Sequence, residues 1–183
     1  DRKEVVNLVA GDLVAAHRVG VDFARNMMEV KIKKEAEIII LSPGGHPRDI
    51  NLWQTEGKAL VRVWLCAKQD SQIIVTAECP RGIGHAELEN WLVGRSPEDI
   101  RTRLVKEGYT LVGEKADRLA LLSEYAKLAF YSPGLDPAKF SKLPVSFVSN
   151  PQKRLQEILD AMPKDASVLV IPNAPAVITK ISD

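Results

Sequence analysis

The stretch Ala36 to Lys58, AEIIILSPGGHPRDINLWQTEGK, decides the fold. Its first six residues, Ala36 to Leu41, are short, rich in isoleucine and apolar in succession, the pattern of a strand buried on both faces of a parallel sheet. The strand stops at Ser42-Pro43-Gly44-Gly45, where a proline and two glycines let the backbone turn sharply. A helix is predicted from Asp49 to about Ala67, with Ile50, Trp53, Leu60, Val61, Trp64 and Leu65 on its apolar face, Asp49 as its cap and Gly57 as its weak point. A buried strand that empties through glycines into a helix is the opening of a βαβ unit.

The alternation continues on both sides of this stretch. Upstream, Asp12 caps a helix from Leu13 to Met28. Downstream, a strand from Gln72 to Ala77 runs into a second loop, Glu78 to His85 (ECPRGIGH). Helices follow from Ala86 to Val93 and from Pro97 to about Lys106, the latter capped by Ser96 with proline at its favoured first position. Gly108 ends that pair, and a longer helix from Lys115 to about Lys127 leads into LAFYS, Leu128 to Ser132. Pro144 to Ser149 is a further strand, Pro151 to Met162 a helix, and Ser167 to Ile171 the last strand. The tail, with Pro172 and Pro175, is predicted to be extended.

Strands separated by helices of these lengths require crossover connections. The expected fold is therefore one α/β domain over residues 1–183: three layers, a mainly parallel sheet with helices on both faces, Rossmann-like in architecture. Ligands of such sheets bind beyond the carboxyl ends of the strands, which directs attention to the loops Ser42 to Asp49 and Glu78 to His85.

Composition excludes several classes. Lysine and arginine number 25 against 24 aspartates and glutamates, so the chain lacks the basic excess of a nucleic-acid binder. Cys66 and Cys79 give neither a disulfide framework nor zinc-site spacing, and read as free thiols in a reducing compartment. No apolar run approaches the roughly 20 residues of a membrane-spanning helix, and cytoplasm is the expected location. The chain opens at Asp1 without methionine, which suggests a further domain upstream.

The chemistry sits in the first loop and helix. Gly44 and Gly45 allow backbone amides to be turned toward an anion. Gln54 and Lys58, four apart on one helical face, offer an amide donor and an ammonium to a carboxylate. Taken from spacing alone, such a pair is more often a solvated surface. GGHPRD lacks the third glycine of a dinucleotide fingerprint and is not a P-loop. His46 and His85 lie in the two strand-end loops, whereas His17 lies within a helix and reads as structural. Three histidines without supporting spacing make no metal site. Cys79, next to Glu78, has no implied histidine partner and reads as a packed thiol, while Trp53 and Trp64 read as core or domain-interface residues.

The run GGHPRDINLWQ, Gly44 to Gln54, resembles the glycine-glycine-tyrosine-proline-x-aspartate-x-asparagine-x-tyrosine-glutamine signature of the nickel-dependent lactate racemase family, in its carboxy-terminal half. GDLVAAHRVG, Gly11 to Gly20, is similar to that family's glycine-aspartate, alanine-histidine and glycine pattern, and AECPRGIGH, Ala77 to His85, resembles its next strand and glycine loop. The resemblance covers Gly11 to about Trp91. It implies a two-domain racemase or epimerase in which an absent amino-terminal domain holds a nickel pincer nucleotide and this chain closes over a small 2-hydroxy acid. By resemblance Gln54 and Lys58 hold the substrate, supported by Gly44, Gly45, His46, Asp49, Asn51, Gly82 and His85, with no metal ligand and no catalytic residue assigned in this fragment.

Two departures stand out. His46 occupies the usual tyrosine position, and Lys58 follows Gln54 by four positions where the lactate enzymes have three. Either the extra residue, Gly57 being the candidate, distorts the helix locally, or the lysine points elsewhere. The substrate is accordingly allowed to differ from lactate. The alternatives are a binding or regulatory module derived from the family and an independent nucleotide-binding domain; the fragment alone is expected to be inactive.

Overall fold

The computed structural model describes residues 4–182, so Asp1, where the sequence suggested a cut end, lies outside the described residues. In chain order the elements are α1 (Leu13–Met28), β1 (Glu29–Ile32), β2 (Ala36–Leu41), α2 (Leu52–Thr55), a π-helical turn (Glu56–Leu60), α3 (Val61–Val63) and β3 (Ala67–Thr76). They continue with α4 (Ala86–Leu92), α5 (Pro97–Glu107), α6 (Leu111–Tyr125), β4 (Lys127–Tyr131), β5 (Val145–Phe147), α7 (Pro151–Ala161), β6 (Val168–Ile171) and β7 (Ile178–Ile181).

Five strands form one sheet in the order β5-β4-β3-β2-β6, every neighbouring pair parallel. Alternating side chains sort its two faces. Ile39, Leu41, Ile73 and Val75 join the large core with Leu52, Leu60, Trp91, Ala116 and Leu119, beneath α2 to α6. Ile38 and Ile74 turn the other way, onto Ile158 of α7 with Leu155 and Met162 beside it. Helices thus cover both faces, as expected, and the strand-end loops lie where that architecture puts a ligand rim.

The predicted bounds of α1 and β2 are met residue for residue. Asp12 caps α1 by accepting from the amides of Val14 and Ala15 at 3.1 and 3.0 Å. β3 begins earlier than the apolar run QIIVTA suggested, because Ala67 pairs with Ala36 across a register shift that the polar residues between them conceal. The helix expected from Asp49 to Ala67 is shorter. Asn51 caps it, Ala67 already belongs to β3, and the middle opens into the π turn.

The tail is not simply extended. Residues Ala174–Ala176 form a 3-10 turn, after which β7 pairs in parallel with β1, Glu29 opposite Ile178 through Ile32 opposite Ile181. This two-stranded sheet stands apart from the main one, with Val30 48% and Ile181 42% exposed. Helix α1, which leads into it, buries none of its sixteen residues, and Leu13 is 84% exposed.

Candidate functional site

Backbone hydrogen bonds stitch the two strand-end loops together. Cys79 N–H donates to the Asp49 carbonyl at 2.9 Å and Arg81 N–H to that of Ile50 at 3.0 Å. In return Leu52 N–H donates to the Gly82 carbonyl at 2.9 Å and Trp53 N–H to that of Ile83 at 3.1 Å. The facing of these loops, inferred from their common position after parallel strands, is thus a direct ladder.

The ladder occupies the amides at the start of α2. The first amides of α2 do not await an anion: Leu52 and Trp53 serve the opposite loop, Gln54 N–H donates to Asn51 Oδ1 at 2.9 Å, and Thr55 N–H donates to the Asn51 carbonyl at 3.0 Å. The first-turn donors of a helix are its means of holding phosphate, and here they are spent on the protein. A pyrophosphate cradle at this helix is therefore absent.

Asp49 is likewise not the cap. It is 7% exposed, and one carboxylate oxygen accepts the Glu78 amide at 3.1 Å, pinning the second loop to the first. The cap falls to Asn51 because its side chain, two positions later, meets the Gln54 amide. Gly84 makes room for that side chain: its φ is 75°, and a Cβ there would lie 2.2 Å from Asn51 Cγ. Gly44 and Gly45 turn with φ of 90° and 74°, and a Cβ on Gly44 would meet Asn173 Oδ1 at 2.7 Å, so the first loop also abuts the segment after β6. Gly82, with φ 60°, completes the turn facing α2.

Gln54 and Lys58 are half-buried, and neither side chain makes a hydrogen bond or ion pair among the described residues. They flank the start of the π turn, in which the i→i+5 bond holds one residue more than an α turn. The residue by which this spacing exceeds that of the lactate enzymes is thus accommodated in the π turn that contains Gly57. The next residue back, Glu56, is 2% exposed and faces α6: Lys115 Nζ donates to its Oε2 at 2.6 Å and Arg118 Nε to its Oε1 at 2.9 Å. Sequence reading missed Glu56, Lys115 and Arg118, since the partners lie 59 and 62 positions apart and no local pattern joins them.

Of the histidines, His85 is built into the site. Its Nδ1 accepts the Leu88 amide at 3.4 Å, capping α4, which leaves the ring proton of the neutral form on Nε2. Its ring stacks on Trp53 at 4.4 Å, and Lys115 Nζ lies 4.6 Å from the centre of the same indole. Trp53 therefore joins the second loop to α6 across the helix that bears Gln54. His46 is exposed at the tip of the first loop, and His17 is exposed on α1.

A cavity of about 320 Å³ opens at the strand ends, lined by Asp49, Thr76, Ala77, Glu78, Tyr131 and Pro133. With two carboxylates and no cation in its lining it repels an anion. Cys79 is buried with Sγ 3.6 Å from Thr55 Oγ1, and burial pushes its thiol up, as suits packing rather than nucleophilic attack. Among the described residues no helix is long and apolar enough to cross a membrane.

A parallel sheet covered on both faces, with its loops interlocked at the carboxyl ends of neighbouring strands, defines a Rossmann-like α/β domain with a ligand-facing rim. Residues 31–179 match the family model of the lactate racemase C-terminal domain, and the chain belongs to that family. It is 29% identical over 185 residues to the lactate racemase of Thermoanaerobacterium thermosaccharolyticum, covering 91% of this chain and 42% of the relative. With the lactate racemase of Lactiplantibacillus plantarum it shares 24% identity over 187 residues, covering 97% of this chain and again 42% of the relative. The chain thus spans well under half the length of both.

Solved structures agree on the fold. The lactate racemase apoprotein from T. thermosaccharolyticum superimposes with a TM-score of 0.78 at 23% identity, covering 90% of this chain and 40% of that one. A protein from Thermotoga maritima gives 0.62 at 12% identity, covering 92% and 42%.

Proposed function

We propose that this chain is the substrate-closing domain of a 2-hydroxy-acid racemase or epimerase, in which Gln54 and Lys58 hold the substrate carboxylate. The observation that carries the reading is that both side chains, about one turn apart on the helix that follows the first strand-end loop, are half-buried and make no hydrogen bond or ion pair among the described residues. A half-buried ammonium that pairs with nothing in its own fold is suited to a charge-assisted bond with a ligand. Gln54 adds a directional donor, and together they fix the carboxylate while the neighbouring hydroxyl-bearing carbon inverts.

The reading includes a second, amino-terminal domain of the same polypeptide. Its support is the 42% coverage of the relatives, the sixteen-residue α1 with no buried residue, and the β1/β7 pair, a separate sheet that leaves apolar side chains in the open. Parallel strands are ordinarily covered on both faces, so a ribbon with Val30 and Ile181 in the open is suited to burial against further protein. Closure of the two domains would exclude water from the substrate.

A nickel pincer nucleotide is the cofactor the family resemblance implies. Among the described residues no three His, Cys, Asp or Glu side chains converge to hold a metal ion. The present residues therefore do not form a nickel site, and no chemical step is assigned to a metal within this chain. In this proposal the cofactor rests on the other domain.

The test is an assay of the longer native polypeptide, loaded with nickel cofactor, against D- and L-forms of a panel of 2-hydroxy acids, lactate included. Interconversion of one pair, with kcat/KM lowered about tenfold or more in Lys58→Ala, is the expected outcome. Interconversion that Lys58→Ala and Gln54→Ala leave untouched would remove both residues from the site, and the absence of any interconversion would favour a non-catalytic module.

A further inference from the structure

We propose that Glu56, clamped by Lys115 and Arg118, is a positioning residue that holds the π turn open and so sets the reach of Lys58. This rests on the reading of Gln54 and Lys58 as the carboxylate-binding pair.

The clamp is complete on the protein side. Glu56 Oε2 accepts from Lys115 Nζ at 2.6 Å and from Arg118 Nη2 at 3.1 Å, and Oε1 accepts from Arg118 Nε at 2.9 Å. Arg118 Nη1 turns back to Glu114 one helical turn earlier, so two cations meet two carboxylates and the cluster is neutral. The buried carboxylate is committed in three directions and leaves nothing for Lys58, which lies two residues on and faces elsewhere.

The clamp also explains why the turn stays π-helical. A π turn wastes hydrogen-bond geometry that an α turn would recover, and it persists where the surroundings over-determine it. Here Glu56 anchors its first residue to α6, and Gly57 gives Lys115 its place: a Cβ on Gly57 would lie 2.9 Å from Lys115 Nζ. Lys115 further rests over Trp53 at 4.6 Å, one residue before Gln54. One α6 lysine therefore touches the residue before Gln54 and the two residues before Lys58. A buried ion pair is weak evidence for net stability, and in this proposal the role of the clamp is to fix the geometry of the turn. Releasing it lets the helix relax toward α-helical register, which turns Lys58 about the helix axis and changes the direction in which its ammonium reaches relative to Gln54.

The experiment uses Lys115→Met, which keeps length and apolar packing, and Glu56→Gln as a near-isosteric second variant, each with Lys58→Ala as reference. In the longer native polypeptide with lactate, or whichever 2-hydroxy acid the parent turns over, KM is expected to rise about tenfold or more in Lys115→Met with kcat changed less. A merely destabilised domain would instead lose folded enzyme, and so apparent kcat, at unchanged KM. Parent-like KM in Lys115→Met and Glu56→Gln, beside a raised KM in Lys58→Ala, overturns the clamp and leaves the carboxylate reading standing. Parent-like KM in Lys58→Ala overturns both. Independently of turnover, amide hydrogen exchange at Lys58, Ala59 and Leu60 is expected to quicken about tenfold in both variants while β2 and β3 stay protected. Unchanged exchange there overturns the clamp even if the enzyme is silent.

Discussion

Asn51 Oδ1 accepts the backbone N–H of Gln54 at 2.9 Å, so the residue that starts α2 also fixes the peptide from which the candidate amide donor projects. Structure and site share one hydrogen bond. The same side chain fills the space left by Gly84 of the facing loop, which makes Asn51 the hinge pin between the two loops.

Asn51→Ala is accordingly expected to lower stability by about 1 kcal/mol for the lost cap, and Gly84→Ala by more, because its backbone has positive φ and its Cβ would strike Asn51. In the double variant the overlaps with the Asn51 amide group are gone but the one with its Cβ, at 2.4 Å, and the φ strain remain, so the two losses should still sum to more than the pair shows together. Urea unfolding of the four proteins measures this; strict additivity would mean that the two residues do not meet.

Lys58→Ala in the longer polypeptide should cost roughly ten- to hundredfold in kcat/KM, the scale of one hydrogen bond between charged groups. Gln54→Ala should act mainly on KM. Steady-state kinetics on both, alongside a thermal melt showing that the domain is intact, decides the matter.

Glu37 joins β2 to the segment before β6. The hydrogen bond from Lys68 at 2.8 Å, then those from the Ser167 amide at 2.6 Å and hydroxyl at 3.0 Å, hold its carboxyl down at about 2 against an ordinary value of 4.5. A depressed folded-state value stabilises the fold above the ordinary one and loses that contribution as pH falls toward the lower one. Acid titration between about pH 4.5 and pH 2 should therefore unfold the parent along a slope that Glu37→Gln flattens. An identical slope in the variant would assign acid sensitivity elsewhere.

Burial pushes the Cys66 thiol up to about 11 and raises that of Cys79. Iodoacetamide at pH 8 should leave both unmodified in the folded chain and label both after unfolding, read by intact mass. The fold should also weaken as pH climbs from about 9 toward 11, where the unfolded Cys66 ionises before the folded one.

Local patterns made much of this fold legible. Asp12 followed by an apolar stripe, and AEIIIL followed by glycines, declare α1 and β2 to the residue because each carries its own start and stop. EVKI at Glu29–Ile32 carries no such signal; it becomes a strand only because Ile178–Ile181, at the far end of the chain, lies beside it. The site divides the same way. Gly44, Gly45 and the pair Gln54 and Lys58 stood out from turn chemistry, spacing and family resemblance, and the extra residue relative to the family left two outcomes open, a distorted helix or a redirected lysine, of which the π turn is the first. That Glu56 would be buried against Lys115 and Arg118, or that the α2 amides would be spent on Gly82 and Ile83, depends on contacts between distant segments.

The β1/β7 pairing buckles the two extremities of the described chain to one another. Since each strand has the other as its sole ladder partner among the described residues, clipping away the last few residues would unfasten β1 as well, and with it the anchorage of α1. Damage at one terminus would be felt at the opposite one, without passing through the central sheet.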